Sequence, residues 1–269
     1  METIKADLHN HFTTKSRVLD ANKVADRVYE ALGNGGICAL VNYDDRRFEG
    51  FAERAEPIGN RLGNAVYFHD RNVLVIKGEE LSTQQGDLLV LCLEEGKHLT
   101  QRKNLEDSLK EANDHNGIII LPHPYFHSRV GGTIEQNPKY FDYIDGIEIH
   151  NGNASRKANI RAQWLAGKTN FNNACEKYLH IGWLASSDGH SFKEVGSSYT
   201  ILKLPNIKFS SSEGIIKELR NAIRLGGSYG YKKNYSMLGF IQHISIITPM
   251  FLLLKLGIKL SRGDTEALR

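Results

Sequence analysis

The chain has 269 residues, which is enough to bury a large core as one α/β domain. Its formal net charge of +3 is too small to indicate a dedicated nucleic-acid surface, so no long nucleic acid is expected as a partner. The three cysteines are far apart and form no Cys-x-x-Cys pair, which argues against a disulfide framework or a thiolate metal site. The polar amino terminus resembles no secretory signal, so a cytoplasmic location is expected.

Short apolar segments alternate along the chain with segments of helical periodicity. The sequence predicts strands at Ile4–His9, Ile37–Asn42, Val73–Leu81, Leu88–Leu93, Ile118–Leu121, Ile144–His150, Leu179–Ser186 and Tyr199–Leu204. It predicts helices at Ala21–Leu32, Leu105–His115, within Ala154–Tyr178 and at Ser212–Leu225. Asp20 is expected to cap the first helix, and Ser211 or Ser212 the last. This alternation predicts a mostly parallel sheet with crossover helices.

Metal-ligating residue types lie where several of these strands end. His9 and His11 close the first strand, and residues two apart in an extended strand face the same side, so both imidazoles can reach one ion. The same residue types recur later, at Glu79 and Glu80, at His123, at Glu148 and His150, and at Asp188 and His190. Because functional groups of parallel barrels gather at strand ends, the pattern predicts a metal site.

Five segments, in this order, resemble motifs of the PHP (polymerase and histidinol phosphatase) superfamily of metal-dependent phosphoesterases. They are Asp7-Leu8-His9-Asn10-His11, Gly78-Glu79-Glu80-Leu81-Ser82, Leu121-Pro122-His123-Pro124, Gly146-Ile147-Glu148-Ile149-His150-Asn151-Gly152 and Ser187-Asp188-Gly189-His190-Ser191. The resemblance extends over roughly Asp7 to Thr200 and implies a distorted (β/α)7 barrel. We assign residues 1–205 to this barrel and residues 206–269 to C-terminal helices packed on it within one structural domain.

The resemblance also implies two or three divalent metals, for which Mn, Zn and Fe are the candidates. His9, His11, Glu80 and Asp188 would hold one ion, and Glu80, His123 and a residue of the Glu148/His150 strand would hold the second. Glu148 and His150 are two residues apart and are expected on one face of that strand, so either could be the ligand, and the family motif favours Glu148. His150 and Asp7 would lie next to the ligands and orient them. His190 would help hold a third ion or, where that position is lost, donate a proton to the leaving group.

Two family elements that help to hold the third ion are replaced. Lys15-Ser16-Arg17 stands where the family usually has Ser-Asp-Gly, and Val41-Asn42-Tyr43-Asp44-Asp45-Arg46-Arg47 stands where it usually has Thr-Asp-His. Cations close to a metal position oppose metal binding by direct repulsion. We therefore expect a two-metal site whose third position is lost or rebuilt around Asp44 or Asp45. Alternatively, these aspartates begin a loop and pair with Arg46 or Arg47.

Several cations near the same strand ends are candidates for binding phosphate, because a guanidinium offers a phosphate two parallel hydrogen bonds. They are Lys15, Arg17, Arg46, Arg47, Arg129 and Arg156. Arg17 is the predicted catalytic cation, since it follows the opening histidines and would replace the charge of the third metal.

The expected function is a hydrolase of EC class 3.1, a phosphatase or phosphodiesterase that acts on a phosphorylated small molecule with a water activated by two metals. One alternative is a nucleotide or oligonucleotide phosphoesterase or exonuclease. Another is a catalytically degenerate PHP module that serves as a scaffold or regulatory subunit.

The segment from Leu238 to Leu254 contains no charged residue, but it is short for a bilayer span and includes Gln242 and Pro249. It predicts a helix packed on the body of the protein or on a second copy in a homodimer, with no transmembrane span. The alternative is contact with a membrane surface through residues 238–260.

Overall fold

The computed structural model describes residues 2–12, 18–42, 46–126, 130–171, 181–204, 211–225 and 228–231. The strands are β1 (Glu2–Asn10), β2 (Ile37–Asn42), β3 (Asn60–Arg61), β4 (Ala65–Phe68), β5 (Val73–Thr83), β6 (Gly86–Leu91), β7 (Ile118–Leu121), β8 (Gly146–Asn151), β9 (Gly182–Ser186), β10 (Ser198–Leu204) and β11 (Ser228–Tyr231). The helices are α1 (Ala21–Leu32), α2 (Arg46–Ala55), α3 (Leu105–Asp114), α4 (Val130–Gln136), α5 (Arg156–Phe171) and α6 (Ser212–Arg224), with 3₁₀ helices at Pro138–Tyr143 and Phe192–Glu194.

The strands form one mixed sheet in the order β11-β10-β1-β2-β5-β6-β7-β8-β9, and the β3–β4 hairpin is attached to β5. The pairs β1–β2, β2–β5, β7–β8 and β8–β9 are parallel, whereas the remaining pairs are antiparallel. The predicted mostly parallel sheet is therefore wrong. The connection between β5 and β6 is only Gln84 and Gln85, and so short a connection can join only antiparallel strands.

The sheet curls into a nearly closed barrel, and its last junction has no continuous backbone ladder within the described residues. β9 lies beside β10, yet no backbone ladder joins these two strands where the chain is described. Instead, the Thr200 hydroxyl accepts a hydrogen bond from the Ala185 amide (2.9 Å) and donates one to the Ala185 carbonyl (3.0 Å). We call this junction of β9 with β10 and β1 the seam. It brings the ends of β1 and β9 together, which places their functional residues side by side.

The barrel interior is filled by the alternate apolar residues of the strands. Ile4, Ala6 and Leu8 of β1 pack there with residues of β2, β5, β7 and α6. Gly182 on β9 permits the close approach of α6, because a Cβ at this position would collide with the Ile223 carbonyl. The outer faces of the strands form two further apolar clusters, one beneath α1 and α2 and one beneath α3, α4 and α5.

The predicted caps are present, since Asp20 accepts a hydrogen bond from the Lys23 amide and Ser211 accepts one from Gly214. The sequence prediction missed α2, the β3–β4 hairpin, α4 and β11. The apolar stretch 238–254 lies outside the described residues, and the division at residue 205 stays a prediction. Within the described ranges, no helix is long and apolar enough to cross a membrane.

Candidate metal centre

A β-bulge turns His9 toward the candidate centre. On β1, Asp7 pairs with Cys38 and Asn10 with Leu40, so Leu8 and His9 both stand opposite the single residue Ala39. Leu8 belongs to the interior cluster and His9 to the candidate centre just above it. A regular strand would place these two neighbours on opposite faces. The bulge therefore lets β1 change from an apolar core position to a metal-ligating position within one residue.

One group of ligating atoms is formed by His9, His11 and Asp188, all of them buried. Asp188 Oδ1 lies 3.4 Å from His9 Nε2 and 3.5 Å from His11 Nε2. Glu80 adjoins the same group, with its Oε2 atom 3.4 Å from His11 Nε2 and 3.8 Å from His9 Nε2. The structure thus brings together the four residues predicted around one ion.

A second group is formed by His9, Glu80 and His123. Glu80 Oε1 lies 3.1 Å from His123 Nε2, so the two carboxylate oxygens of Glu80 face different histidines. Glu80 lies within β5, which continues to Thr83 as one arm of the β5–β6 hairpin. This carboxylate is consequently held on a regular ladder between two groups of ligands.

Glu148 contacts the centre through a ligand and a backbone amide. Its Oε1 atom lies 3.1 Å from His9 Nδ1, and its Oε2 atom accepts hydrogen bonds from the His123 amide (2.9 Å) and the Asn151 side chain (3.0 Å). Asn151 Nδ2 also lies 3.3 Å from Asp188 Oδ2. Both oxygens of Glu148 therefore have partners, and neither described ligand group contains this residue, although the sequence favoured it as a ligand of the second ion. Sequence reasoning did not single out Asn151, although it belongs to the same motif as Glu148.

Three residues at the centre have left-handed backbone conformations. The φ angles are 57° at Phe12, 27° at His123 and 51° at Asp188. None of these residues is glycine, and such conformations cost on the order of 1–3 kcal/mol each. They turn the chain sharply after β1, β7 and β9, which aims His123 and Asp188 at the centre.

Burial and charge act in opposite directions on the histidines. Burial lowers the pKa of His9, but Asp188 and Glu148 outweigh it, and the pKa of His9 lies well above its ordinary value. Burial likewise lowers the pKa of His123, but Glu80 and Asp188 raise it to about 9. The histidines in turn hold the pKa values of Glu80 and Asp188 below their ordinary range despite burial. The ionised forms of Glu80 and Asp188 are therefore stabilised by the positive charge beside them.

The donor set fits divalent cations. His9 Nε2 is buried and forms no hydrogen bond within the described part of the chain, although it faces two carboxylate oxygens. A neutral ring nitrogen and a carboxylate both offer lone pairs, so a cation or a proton must lie between them. Mixed imidazole and carboxylate donors are typical ligands of Zn, Mn and Fe.

Solved structures of similar fold are available for comparison. PsfC from Pseudomonas syringae aligns with a TM-score of 0.60 and 16% identity, covering 94% of this chain and 100% of its own. A two-domain protein from Bacteroides vulgatus that contains a predicted PHP-like metal-dependent phosphoesterase aligns with a TM-score of 0.53 and 21% identity. The alignment covers 86% of this chain and 65% of the two-domain protein. The lesion-specific endonuclease PfuEndoQ from Pyrococcus furiosus aligns with a TM-score of 0.55 and 14% identity, covering 85% and 58%.

The chain has a PHP-type fold. The predicted resemblance and the predicted PHP-type α/β barrel are thereby confirmed at the level of architecture. The chain spans less than two thirds of the length of the two-domain protein and of the endonuclease. No protein-family model and no curated protein matches the sequence.

Two further predicted residues, His190 and Asp7, adjoin the ligand groups. His190 Nδ1 lies 2.9 Å from the Asp188 carbonyl oxygen, and the His190 ring centroid is 4.6 Å from that of His11. Asp7 accepts hydrogen bonds from the Ser187 amide (3.0 Å) and hydroxyl (2.6 Å), and burial raises its pKa to about 6. Asp7 thus joins β1 to the segment that carries Asp188.

His150 lies at a second bulge, where β8 pairs Glu148 with Leu184 and His150 with Ala185. Its ring is half-buried near Asn159, with 3.5 Å between His150 Nδ1 and Asn159 Nδ2, and burial lowers the pKa of His150. The period-two spacing that was expected to put Glu148 and His150 on one face is interrupted at this point. No described ligand group contains His150.

The structure describes the side chains of two predicted phosphate-binding cations, Arg47 and Arg156. Arg47 Nη1 donates to the His11 carbonyl and to Asn42 Oδ1, both at 2.9 Å, and so ties α2 to the ends of β1 and β2. Arg156 is exposed at the first residue of α5. Lys15, Arg17, Asp44, Asp45 and Arg129 lie outside the described residues, and of Arg46 only the backbone is described.

Proposed function

We propose that this chain is a metal-dependent phosphoesterase. The observation that carries the proposal is Glu80, which lies between two groups of histidine and carboxylate ligands in a PHP-type barrel. His9, His11, Glu80 and Asp188 would hold one ion, and Glu80 and His123 would hold the other. A shared carboxylate is how paired metal sites fix the separation of their ions, and paired sites of this kind serve phosphoester hydrolysis.

When bound, two such ions lower the pKa of a water molecule toward ~7 and neutralise charge on the phosphoryl oxygens. The residues of the chain would prepare that chemistry. Glu148 fixes the tautomer and orientation of His9, because it faces the other ring nitrogen. Asn151 holds Glu148 and Asp188 at a fixed spacing. His190, 16% exposed at the rim, would protonate the leaving group.

The finer assignments belong to the same proposal. The first candidate substrate is a phosphorylated small molecule, hydrolysed as a monoester or diester, and the candidate ions are Mn, Zn and Fe. Arg17 and Lys15 supply positive charge where related sites hold a third ion, with Asp44 as the ligand if that ion is retained. Arg47, Arg129 and Arg156 are candidates for holding the phosphate at the rim.

The proposal is tested by metal content and by hydrolysis. The full chain would be purified without chelator, its bound metal measured, and a panel of phosphomonoesters and phosphodiesters offered in the presence of Mn²⁺ or Zn²⁺. We expect about two ions per chain and hydrolysis of some of the panel, with Asp188→Asn losing both. Less than one bound ion and no hydrolysis of any ester would favour the alternative of a scaffold or regulatory module.

A second candidate is an oligonucleotide phosphoesterase or exonuclease. The surface of α5 favours it, because this helix combines exposed cations with an exposed tryptophan.

A further inference from the structure

The outer face of α5 is basic and aromatic. Arg156, Lys157, Ile160, Arg161 and Trp164 are exposed, and at 100° per residue they fall within an arc of roughly 140°. We call them the α5 basic face. Trp164 is 71% exposed and Ile160 is 43% exposed. The helix contains no Asp or Glu, so its own residues place no negative charge among these cations.

The inner face of α5 explains why this surface is held outward. Ala158, Ala162, Leu165 and Ala166 are buried, and the helix packs against β8. A large aromatic side chain kept in water on such an anchored helix is an unusual feature, because tryptophan is highly buried on average. Exposed aromatic groups flanked by cations are instead typical of surfaces that bind ligands.

The α5 basic face begins at the rim of the candidate metal centre. The loop between β8 and α5 contains Asn153, whose side chain donates to the Asp188 carbonyl. Arg156 follows three residues later along the chain. The face therefore starts beside a residue that contacts a predicted ligand.

A second contact joins the middle of the face to the centre. The Arg161 guanidinium lies 4.3 Å from the centroid of the Tyr125 ring, and Tyr125 follows His123 by two residues. Arg161 also lies 3.9 Å from Glu135, and its side chain remains 62% exposed. Trp164 lies one helical turn farther on. The Arg161–Tyr125 contact thus joins the α5 basic face to the segment that carries His123.

We propose that the α5 basic face binds single-stranded nucleic acid and directs its phosphodiester backbone to the metal centre, where the delivery step rests on the proposed phosphoesterase function. Arg156, Lys157 and Arg161 would pair with phosphates, and Trp164 would stack on a base. The net charge of the whole chain predicted no such partner. A local face can nevertheless bind a polyanion when its cations are clustered, since the field depends on the local charge distribution.

Charge favours nucleic acid over the other partners of such a face. A two-fold contact with a second copy would set these cations against themselves, which is repulsive. An anionic membrane would also attract cations and tryptophan. A membrane, however, would give no reason for the face to adjoin a centre suited to phosphoesters, whereas a nucleic acid is itself a chain of phosphodiesters.

The test measures binding separately from hydrolysis. A fluorescein-labelled oligothymidylate with hydrolysis-resistant phosphorothioate linkages would be titrated with the full chain purified without chelator, and anisotropy would give Kd at several salt concentrations. We expect Trp164→Ala to raise Kd roughly 5- to 150-fold, because one stacked base contributes ~1–3 kcal/mol. Trp164→Phe should keep most of the affinity. Lys157→Glu should weaken binding and reduce its salt dependence.

Matched controls lie on α1, which packs against β1, β2 and β5 rather than β8. Tyr29→Ala and Lys23→Glu remove an exposed aromatic ring and an exposed cation there, and neither should change Kd. Asp188→Asn should lose hydrolysis, while its binding of the oligonucleotide should still depend on Trp164, because the face lies on α5 and not in the centre.

The outcomes separate the face from the function. Hydrolysis of small phosphoesters without oligonucleotide binding, or equal Kd values for Trp164→Ala and Tyr29→Ala, would overturn the face and leave the phosphoesterase standing. Binding that Trp164→Ala weakens, without hydrolysis of any ester, would support the face and overturn the phosphoesterase. Binding only to phosphatidylserine vesicles, or Trp164-dependent dimerisation without oligonucleotide binding, would also overturn the face as a nucleic-acid surface.

Discussion

Glu79 and Glu80 are neighbours on β5, yet they belong to two buried charge clusters of different kinds. Glu79 Oε1 lies 3.0 Å from Lys77 Nζ, and these side chains are 2% and 1% exposed. Lys77 also donates to the Lys97 carbonyl, and Glu79 accepts from the Leu99 amide. Glu80 faces the other side of the strand, toward three histidines and Asp188.

The two clusters differ in whether the protein alone supplies a partner for each buried charge. In the Lys77–Glu79 pair, each charge faces an opposite charge and a backbone partner, as a buried ion pair requires. Around Glu80, ring nitrogens and carboxylate oxygens face one another at 3.1–3.8 Å, so a cation or a proton must lie between them. The first cluster therefore serves the fold, and we propose that the second serves a ligand. The predictions below test this contrast.

The largest expected effect is on hydrolysis. We expect Glu80→Gln to lose bound metal and to lower kcat/KM by roughly 1,000-fold or more, because even the neighbours of metal ligands contribute roughly 10–100-fold. Metal content and kcat/KM on the best phosphoester would be measured together. Glu79→Gln is the matched control and should keep its metal; equal loss of metal from both variants would contradict the assignment of the two faces.

The next effect is on stability. Lys77→Met leaves Glu79 buried without its partner, and we expect the free energy of unfolding to fall by about 3–5 kcal/mol. Urea unfolding followed by circular dichroism would measure the change. The double variant Lys77→Met with Glu79→Leu should recover most of it, since no lone charge remains buried. A fully stable single variant would show that the pair is dispensable.

A smaller effect is expected from Asn151, which touches both Glu148 and Asp188. Asn151→Ala should weaken metal binding by roughly 10-fold, within the range for residues that orient ligands. Competition with a metal-sensitive dye would give the affinity. Asn34→Ala, in the turn after α1, is the control. An unchanged affinity in Asn151→Ala would remove Asn151 from the centre's framework.

The last expected effect is a pH dependence of the metal-free protein. Burial lowers the pKa of His123, but Glu80 and Asp188 raise it to about 9, above the unfolded value of 6.5. A raised pKa means that this stability is complete below pH 6.5 and is lost as the pH rises through about 9. We expect a loss of order 1–3 kcal/mol in this window, measured by urea unfolding with chelator. Bound metal should remove the dependence, because it replaces the proton.

The sequence predicted which residues are candidate ligands, but it did not predict the strand geometry that brings them together. Period-two spacing correctly grouped His9 with His11, yet the bulge that turns His9 inward is set by pairing with β2 and has no local signal. The interrupted register at Glu148 and His150 was hidden for the same reason. Residue spacing predicts the face on which a side chain lies only where the pairing register with the neighbouring strand is regular.

Other misses had signals in the chain. Phe48, Phe51, Ala52 and Ala55 follow the spacing of an amphipathic helix and are buried in α2, so α2 could have been predicted. The error of a mostly parallel sheet came from treating every apolar segment as part of a crossover unit. The short link between β5 and β6 excluded that, because a crossover needs about a dozen residues.

The seam ties the closing of the barrel to the occupancy of the centre. His9 lies on β1 and Asp188 follows the end of β9. Across this junction the Asp188 amide donates to the His9 carbonyl at 2.7 Å, and the His11 amide donates to the Gly189 carbonyl at 2.8 Å. An ion held by both side chains would act as a clasp across the least laddered junction of the sheet. Metal binding would then also stabilise the folded barrel. Removal of the metal would therefore destabilise the sheet at the junction beside the candidate centre.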